Sequence, residues 1–165
     1  MNYAIRLAKA DDIPQVDHLY ARSYPKLLKP DYAPSLLVTV VPMFSKSQPR
    51  LVTSGSFYVA VTADDKIIGA GGWTPKGPRG ESEPGLGHIR HFATDPNATR
   101  LGVGRALITA CVTQAAELGI HRLSCYSTIT AVPFYEAMGF EKRGDIEITF
   151  GETMQFPCVW LEQNI

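Results

Sequence analysis

The chain has 165 residues, 45% of them apolar and 19% charged, with sixteen basic residues against sixteen acidic ones. This composition supplies enough apolar surface for one folded core and is not that of a disordered chain. Zero formal net charge, with no block of like charges, gives no electrostatic reason to expect duplex nucleic acid or an anionic membrane as a partner.

The opening Met1-Asn2-Tyr3-Ala4-Ile5-Arg6 is too interrupted by polar residues to read as a secretory signal. Tyr3 to Leu7 alternates apolar and polar residues and predicts a first strand. Asp11 is the expected N-cap of a helix with Pro14 in its first turn and Ile13, Val16, Leu19 and Tyr20 on its apolar face. Residues 25–49 are less regular, with a helix expected over Ser35 to Phe44. The longest apolar candidate, Leu36 to Phe44, is broken by Thr39 and Pro42 and falls well short of the roughly 18 residues a membrane helix needs.

Phe57 to Val61 and Ile67 to Trp73 predict a hairpin joined by the turn-forming Ala63-Asp64-Asp65-Lys66. Pro75 to Gly87 is rich in Gly, Pro and Glu and reads as a loop. Leu86 to Thr94 reads as the fourth strand. A helix is expected over Gly102 to Leu118, with Val103, Leu107, Cys111, Ala115 and Leu118 as its buried stripe and Gly119 as its stop. A strand over Arg122 to Ser127, a short helix over Ala131 to Met138, and strands near Glu141 to Phe150 and Met154 to Glu162 complete the order. Three consecutive strands joined by short turns suggest an antiparallel portion, and the crossover from Leu86 to Ser127 requires a parallel pair. The expected fold class is α/β: a single domain over residues 1–165, with a mixed central sheet of about seven strands flanked by about four helices. Cys111, Cys125 and Cys158 are odd in number and dispersed, which speaks for neither a disulfide framework nor a metal site. A reducing, cytoplasmic setting is expected, with no metal.

The fourth strand runs into the long helix through Thr99-Arg100-Leu101-Gly102-Val103-Gly104-Arg105. Two glycines at a helix start let the backbone turn tightly, and the first helical N–H groups lack internal partners. With the macrodipole and the charges of Arg100 and Arg105, that spot suits a pyrophosphate. Alone, a Gly-x-Gly before a helix is often a simple turn. It is not a dinucleotide fingerprint or P-loop either, since no third glycine and no Gly-Lys-Ser/Thr follow.

A second element lies downstream: Thr128-Ile129-Thr130-Ala131-Val132-Pro133-Phe134-Tyr135-Glu136-Ala137-Met138-Gly139-Phe140. Taken together, the two segments resemble the GNAT acetyltransferase superfamily, whose cofactor motif is Q/R-x-x-G-x-G/A, followed by a Phe-Tyr…Gly-Phe helix after the fifth strand. The resemblance follows element order from Tyr3 to Phe140 and is tight over Leu86 to Leu107 and Thr128 to Phe140. It implies a GNAT-like fold and an acetyl-CoA-dependent N-acetyltransferase that passes an acetyl group to a primary amine of a small molecule or peptide by direct attack on the thioester. The amides from Thr99 and Arg100 through Leu101, Gly102, Val103 and Gly104 to Arg105 then hold the pyrophosphate of coenzyme A. The backbone of Phe92 and Thr94 pairs with the pantetheine arm, and Thr128 stands where the family often has Asn. Thr99 departs from the family's leading Gln/Arg.

The same resemblance makes Tyr135 the general acid for the leaving thiolate; read by itself, Tyr135 is equally a packed core tyrosine. The base stays open between His88, which matches a carboxylate position of some family members, His91, Glu83 and ordered water. A period of two puts His88 and His91 on opposite faces of their strand. Cys125 allows an acyl-cysteine route, with no activating partner near it in the sequence. Tyr20, Tyr24, Tyr32 and the segment Met154 to Pro157 are expected walls of the acceptor site. The expected partners are a coenzyme A thioester and an amine, the expected state a monomer or homodimer. The alternative function is a non-catalytic acyl-CoA-binding sensor.

Overall fold

The computed structural model describes residues 2–165. Its strands β1 (Tyr3–Leu7), β2 (Phe57–Thr62), β3 (Ile67–Thr74), β4 (Leu86–Thr94), β5 (Arg122–Thr128), β6 (Glu141–Phe150) and β7 (Met154–Asn164) form one sheet in the order β1-β2-β3-β4-β5-β7-β6. All neighbours are antiparallel except β4 and β5, which are parallel as the connecting helix demands. That helix, α5 (Val103–Glu117), covers one face. Helix α1 (Ile13–Leu27) covers the other, with the short helices α2 (Pro34–Thr39), α3 (Val41–Phe44) and α4 (Pro49–Val52) beside it. Helix α6 (Val132–Ala137) follows β5.

The sheet, the hairpin and the crossover match expectation, and several details differ. The residue at the start of α1 is Asp12, not Asp11: its carboxylate accepts from the Lys9 N–H at 2.9 Å and pairs with Arg6 at 2.7 Å. The helix expected over Ser35 to Phe44 breaks into α2 and α3, because Pro42 has no N–H to give and its ring crowds the preceding turn. On α5 the buried stripe is Val103, Leu107, Ile108, Cys111 and Ala115, whereas Leu118 is 67% exposed. Gly119, at φ +84°, stops the helix as expected.

Each face of the sheet has its own core. Val16, Leu19, Tyr20 and Tyr24 of α1 bury against Val59, Val61 and Ala70. Ile108, Cys111 and Ala115 of α5 pack with Trp73, Leu123, Leu161 and Tyr135.

Two irregularities of β4 interrupt the middle of the sheet. The first is a bulge: Ala70 pairs with Ala93 and Gly72 with Arg90, so Gly71 alone faces His91 and Phe92. The Phe92 ring fills the place a side chain on Gly71 would take, its Cδ1 2.3 Å from where a Cβ would stand. The second is a split. The parallel pairing of β4 with β5 covers only Leu86 to His88 against Arg122 to Ser124, after which the strands part.

Candidate active site

Beyond His88 the β5-facing edge of β4 has no strand beside it, while β5 stays paired with β7 along its whole length. The gap opens into a cavity of about 390 Å³ lined by both splayed edges, from Ile89 to Phe92 and from Cys125 to Thr128, and by Tyr135. Pairing direction alternates along β4. Asp95 donates its N–H to Ile68 of β3 at 2.8 Å, and Ala93 pairs on that side too. The amides of Phe92 and Thr94 are thereby left on the gap side. The carbonyls there are held from α1: Tyr20 donates to His91 at 2.7 Å, Tyr24 to Phe92 at 2.7 Å and Ser23 to Thr94 at 2.7 Å.

The glycine turn expected to suit a pyrophosphate lies just past this edge. Arg100 (φ +64°) and Gly102 (φ +80°) both take left-handed backbone, and Gly102 opens α5 without any side-chain cap. Thr99, Arg100, Leu101, Gly102 and Arg105 are solvent-exposed, and the first amides of α5 have no partner within the helix. Tyr3 pins the turn through the Leu101 carbonyl at 3.2 Å. Gly104 admits the ring of Phe134, whose Cε1 lies 2.8 Å from where a Cβ would be. Phe134 meets Tyr135 with ring centroids 5.0 Å apart, and Tyr135 meets Phe92 at 6.3 Å. The helix start, α6 and the bulged strand are thus contiguous around one opening.

Tyr135 is buried, with its hydroxyl against the Cys125 thiol. Burial first, and the neighbouring thiol second, push its ionisation well above the ordinary phenol range, so it stays protonated. Burial also raises the Cys125 thiol to about 12, with Tyr135 pulling the other way, and a thiol so placed is not a nucleophile near neutrality. Thr128 lines the cavity, and its Oγ1 accepts from the Ala131 N–H at 3.3 Å, capping the turn before α6.

The histidines differ from expectation. The bulge reverses the alternation, so His91 lies on the α1 face together with His88 and Arg90, not opposite them. His91 stacks on Tyr20 (centroids 4.0 Å, 16°) and donates from Nε2 to the Phe44 carbonyl at 2.9 Å. Burial lowers its pKa to about 4, and it serves as a neutral spacer. His88 is 3% exposed and does not line the cavity. It sits under the 75–85 loop beside Glu81: His88 Cε1 and Glu81 Oε1 are each 2.8 Å from where a Gly77 Cβ would stand. Burial lowers the His88 pKa, against an opposing pull from Glu81. Glu83 is exposed and pairs with Arg122 at 2.9 Å.

Of the expected acceptor walls, Tyr24 and Phe156 line the cavity, whereas Tyr20 and Tyr32 do not. Tyr32 instead bridges the Pro157 carbonyl at 2.7 Å and the Ile129 N–H at 2.8 Å. Sequence reasoning missed Arg90 and Tyr126, both lining the cavity, and Glu81, which accepts from the Tyr126 hydroxyl. A strand arginine next to a histidine carries no signal by itself. The glycines within the opposite strand, Gly69, Gly71 and Gly72, were the available sign of a bulge.

Comparison with known proteins agrees with this arrangement. Residues 29–152 match the family model described as Acetyltransferase (GNAT) domain. A mycothiol acetyltransferase of Pseudarthrobacter chlorophenolicus is 32% identical over 98 residues, 58% of this chain and 30% of that protein. The chain therefore spans about a third of the length of the curated relatives it matches. Among solved structures, a PaiA N-acetyltransferase of Thermoplasma acidophilum in complex with coenzyme A superposes with TM-score 0.75 at 15% identity, covering 100% of both chains. A GCN5-related N-acetyltransferase of Rhodopseudomonas palustris gives TM-score 0.81 at 16% identity, covering 100% of this chain and 97% of that one. The matched stretch takes in both the bulged, splayed strand and the glycine turn that follows it, and the chain belongs to the GNAT acetyltransferase family.

Proposed function

We propose that the chain is an acetyl-CoA-dependent N-acetyltransferase that acts on a primary amine by direct attack on the thioester. The observation that carries this reading is the unpaired edge of β4, with Tyr135 at the base of the gap. An extended arm bearing amides can lie along that edge as a further strand would, meeting the amides of Phe92 and Thr94. The turn from Arg100 into the start of α5 at Arg105 then receives a diphosphate on N–H groups that have no intrahelical partner, with the two guanidiniums beside it. Thr99, lacking a charge, contributes only backbone, and Thr128 shapes the wall of the gap.

Coenzyme A supplies the activated acyl group; the protein holds, orients and moves protons. Tyr135, kept protonated, donates from its hydroxyl to the departing sulfur. The amine approaches from the α1 face, where Tyr126 lines the cavity and donates to Glu81, and where Glu81 borders His88. His88 is neutral near pH 7 and can take the amine's proton through that pair or through water.

The test follows free thiol release from acetyl-CoA against a library of primary amines, alongside titration with coenzyme A. Release that depends on an amine and falls in Tyr135→Phe supports the transferase. Tight coenzyme A binding with no release across the library would favour the non-catalytic sensor.

A further inference from the structure

Arg90 is a charged side chain in a cavity wall that, among the described residues, carries no acidic residue and no lysine. His91 is held neutral by burial, and the thiols of Cys125 and Cys158 are pushed up to about 12. The Arg90 guanidinium is half-buried, and no ion pair joins it to a carboxylate among the described residues. It donates to Thr74 Oγ1 at 3.1 Å and more weakly to Gln48 Oε1 at 3.4 Å, both uncharged acceptors. Those two bonds hold the fork in place and leave further N–H groups free. Burial lowers its pKa and the field of Glu81 partly offsets this, while the Glu81 carboxylate itself is engaged by the Tyr126 hydroxyl and the Arg79 N–H. A half-buried cation without a counter-ion is costly unless a ligand brings one.

The same cavity has an apolar wall. Phe44, Phe150 and Phe156 pack against one another with centroids 5.2 to 6.0 Å apart and line the same cavity. Arg90 lies on the α1 face of β4, the side from which the amine must come.

We propose that Arg90 is the specificity-determining residue of the acceptor site and binds the carboxylate of a small amino acid with an apolar side chain, which rests on Phe44, Phe150 and Phe156. This deepens the transferase reading and rests on it. The carboxylate is received by the free edge of the guanidinium fork, and the apolar side chain lies on the phenylalanines. The α-amino group is then left to point at the gap beside Tyr126, where the thioester end must lie.

The experiment compares wild type with Arg90→Gln and Arg90→Lys on matched acceptors. These are L-phenylalanine, L-leucine and L-methionine, their amides, and the amines that lack the carboxylate, such as phenethylamine. Wild type is expected to prefer each amino acid over its amide by at least about tenfold in kcat/KM. Arg90→Gln should abolish that preference by raising KM for the amino acids about 10- to 100-fold while leaving the amides unchanged, and Arg90→Lys should keep part of it. Unchanged turnover of the amides also shows that the variant is folded. Binding of the same acids, measured by titration calorimetry with and without coenzyme A, gives a readout independent of turnover. If no acceptor releases thiol yet the acids still bind through Arg90, the transferase reading fails and the carboxylate site stands. Equal use and equal binding of acids and amides by wild type, or equal losses on both in Arg90→Gln, overturns the proposal.

Discussion

The Tyr24 hydroxyl donates to the carbonyl of Phe92 at 2.7 Å, joining helix α1 to the stretch of β4 that has no strand on its β5 side. Tyr20 and Ser23 do the same for His91 and Thr94 at 2.7 Å each. A carbonyl at an open sheet edge would otherwise need water or another chain. These three side chains satisfy the carbonyls and leave the amides of Phe92 and Thr94 to something else. The helix thereby fixes the shape of an edge whose donors remain available.

Removing one such hydroxyl tests this division of labour. Tyr24→Phe should cost about 1 kcal/mol of stability, the usual net value of one hydrogen bond. It should also raise KM for acetyl-CoA several-fold, because the edge is less firmly set. Urea unfolding and initial rates at varied acetyl-CoA check the two parts separately.

Tyr135→Phe leaves the packing against Phe92, Phe134 and Phe140 in place and removes only the proton donor. Turnover should fall by roughly 10²-fold, the lower range for a lost general acid, with coenzyme A affinity and melting temperature nearly unchanged. Thiol release under saturating substrates measures the first; calorimetry measures the second.

Gly102 opens α5 at φ +80°, where a side chain is strained by about 1 kcal/mol even though the space is open to Tyr3 Oη at 3.5 Å. Gly102→Ala should therefore lower stability by about that much and weaken coenzyme A binding by shifting the first-turn amides. Arg100→Ala and Arg105→Ala should weaken binding without touching stability, and the loss should shrink as salt rises. Titrations at two ionic strengths separate the backbone contribution from the charges.

Acid should loosen the fold through His91 before any carboxylate is involved. Its Nε2 donates to the Phe44 carbonyl, and its buried Nδ1 has no partner, so protonation would strand an N–H. The folded pKa of about 4 lies below the ordinary value near 6.5, so the unfolded chain binds the extra proton. Stability is then full above pH 6.5 and falls as pH drops toward 4, by up to about 3 kcal/mol. His88 acts in the same direction, its pKa also being lowered. Asp12 and Glu81, both lowered from carboxylate values, lose their contributions only at more acidic pH. Urea midpoints at pH 7, 6 and 5 check the slope, and His91→Phe, which keeps an aromatic ring on Tyr20, should flatten it.

Much of this molecule was legible in the chain because local patterns carried it. Alternation marked β1, the turn-forming Ala63-Asp64-Asp65-Lys66 marked the hairpin of β2 and β3, and Gly102 and Gly104 marked the helix entrance. Phe134-Tyr135 followed by Gly139-Phe140 marked the second half of the site. What escaped was set by contacts distant in sequence. The bulge at His91 depends on Gly71 giving room to Phe92, so strict alternation misplaced one histidine. Arg90 became notable only when β4 and β5 parted and the lining proved to hold no other charge. Tyr20 was expected to face an acceptor, but it lies off the cavity with its hydroxyl committed to His91 of β4, 71 residues away in sequence.

The short parallel pairing of β4 with β5 makes the sheet two half-sheets sewn by a few stitches, with β1 to β4 on one side and β5 to β7 on the other. Whatever fills the rest of that seam acts as mortar between them. Heat resistance should therefore track occupancy of the seam, rising with the logarithm of the guest's concentration above its dissociation constant. Amide exchange along β5 should slow at the same time as exchange along β4.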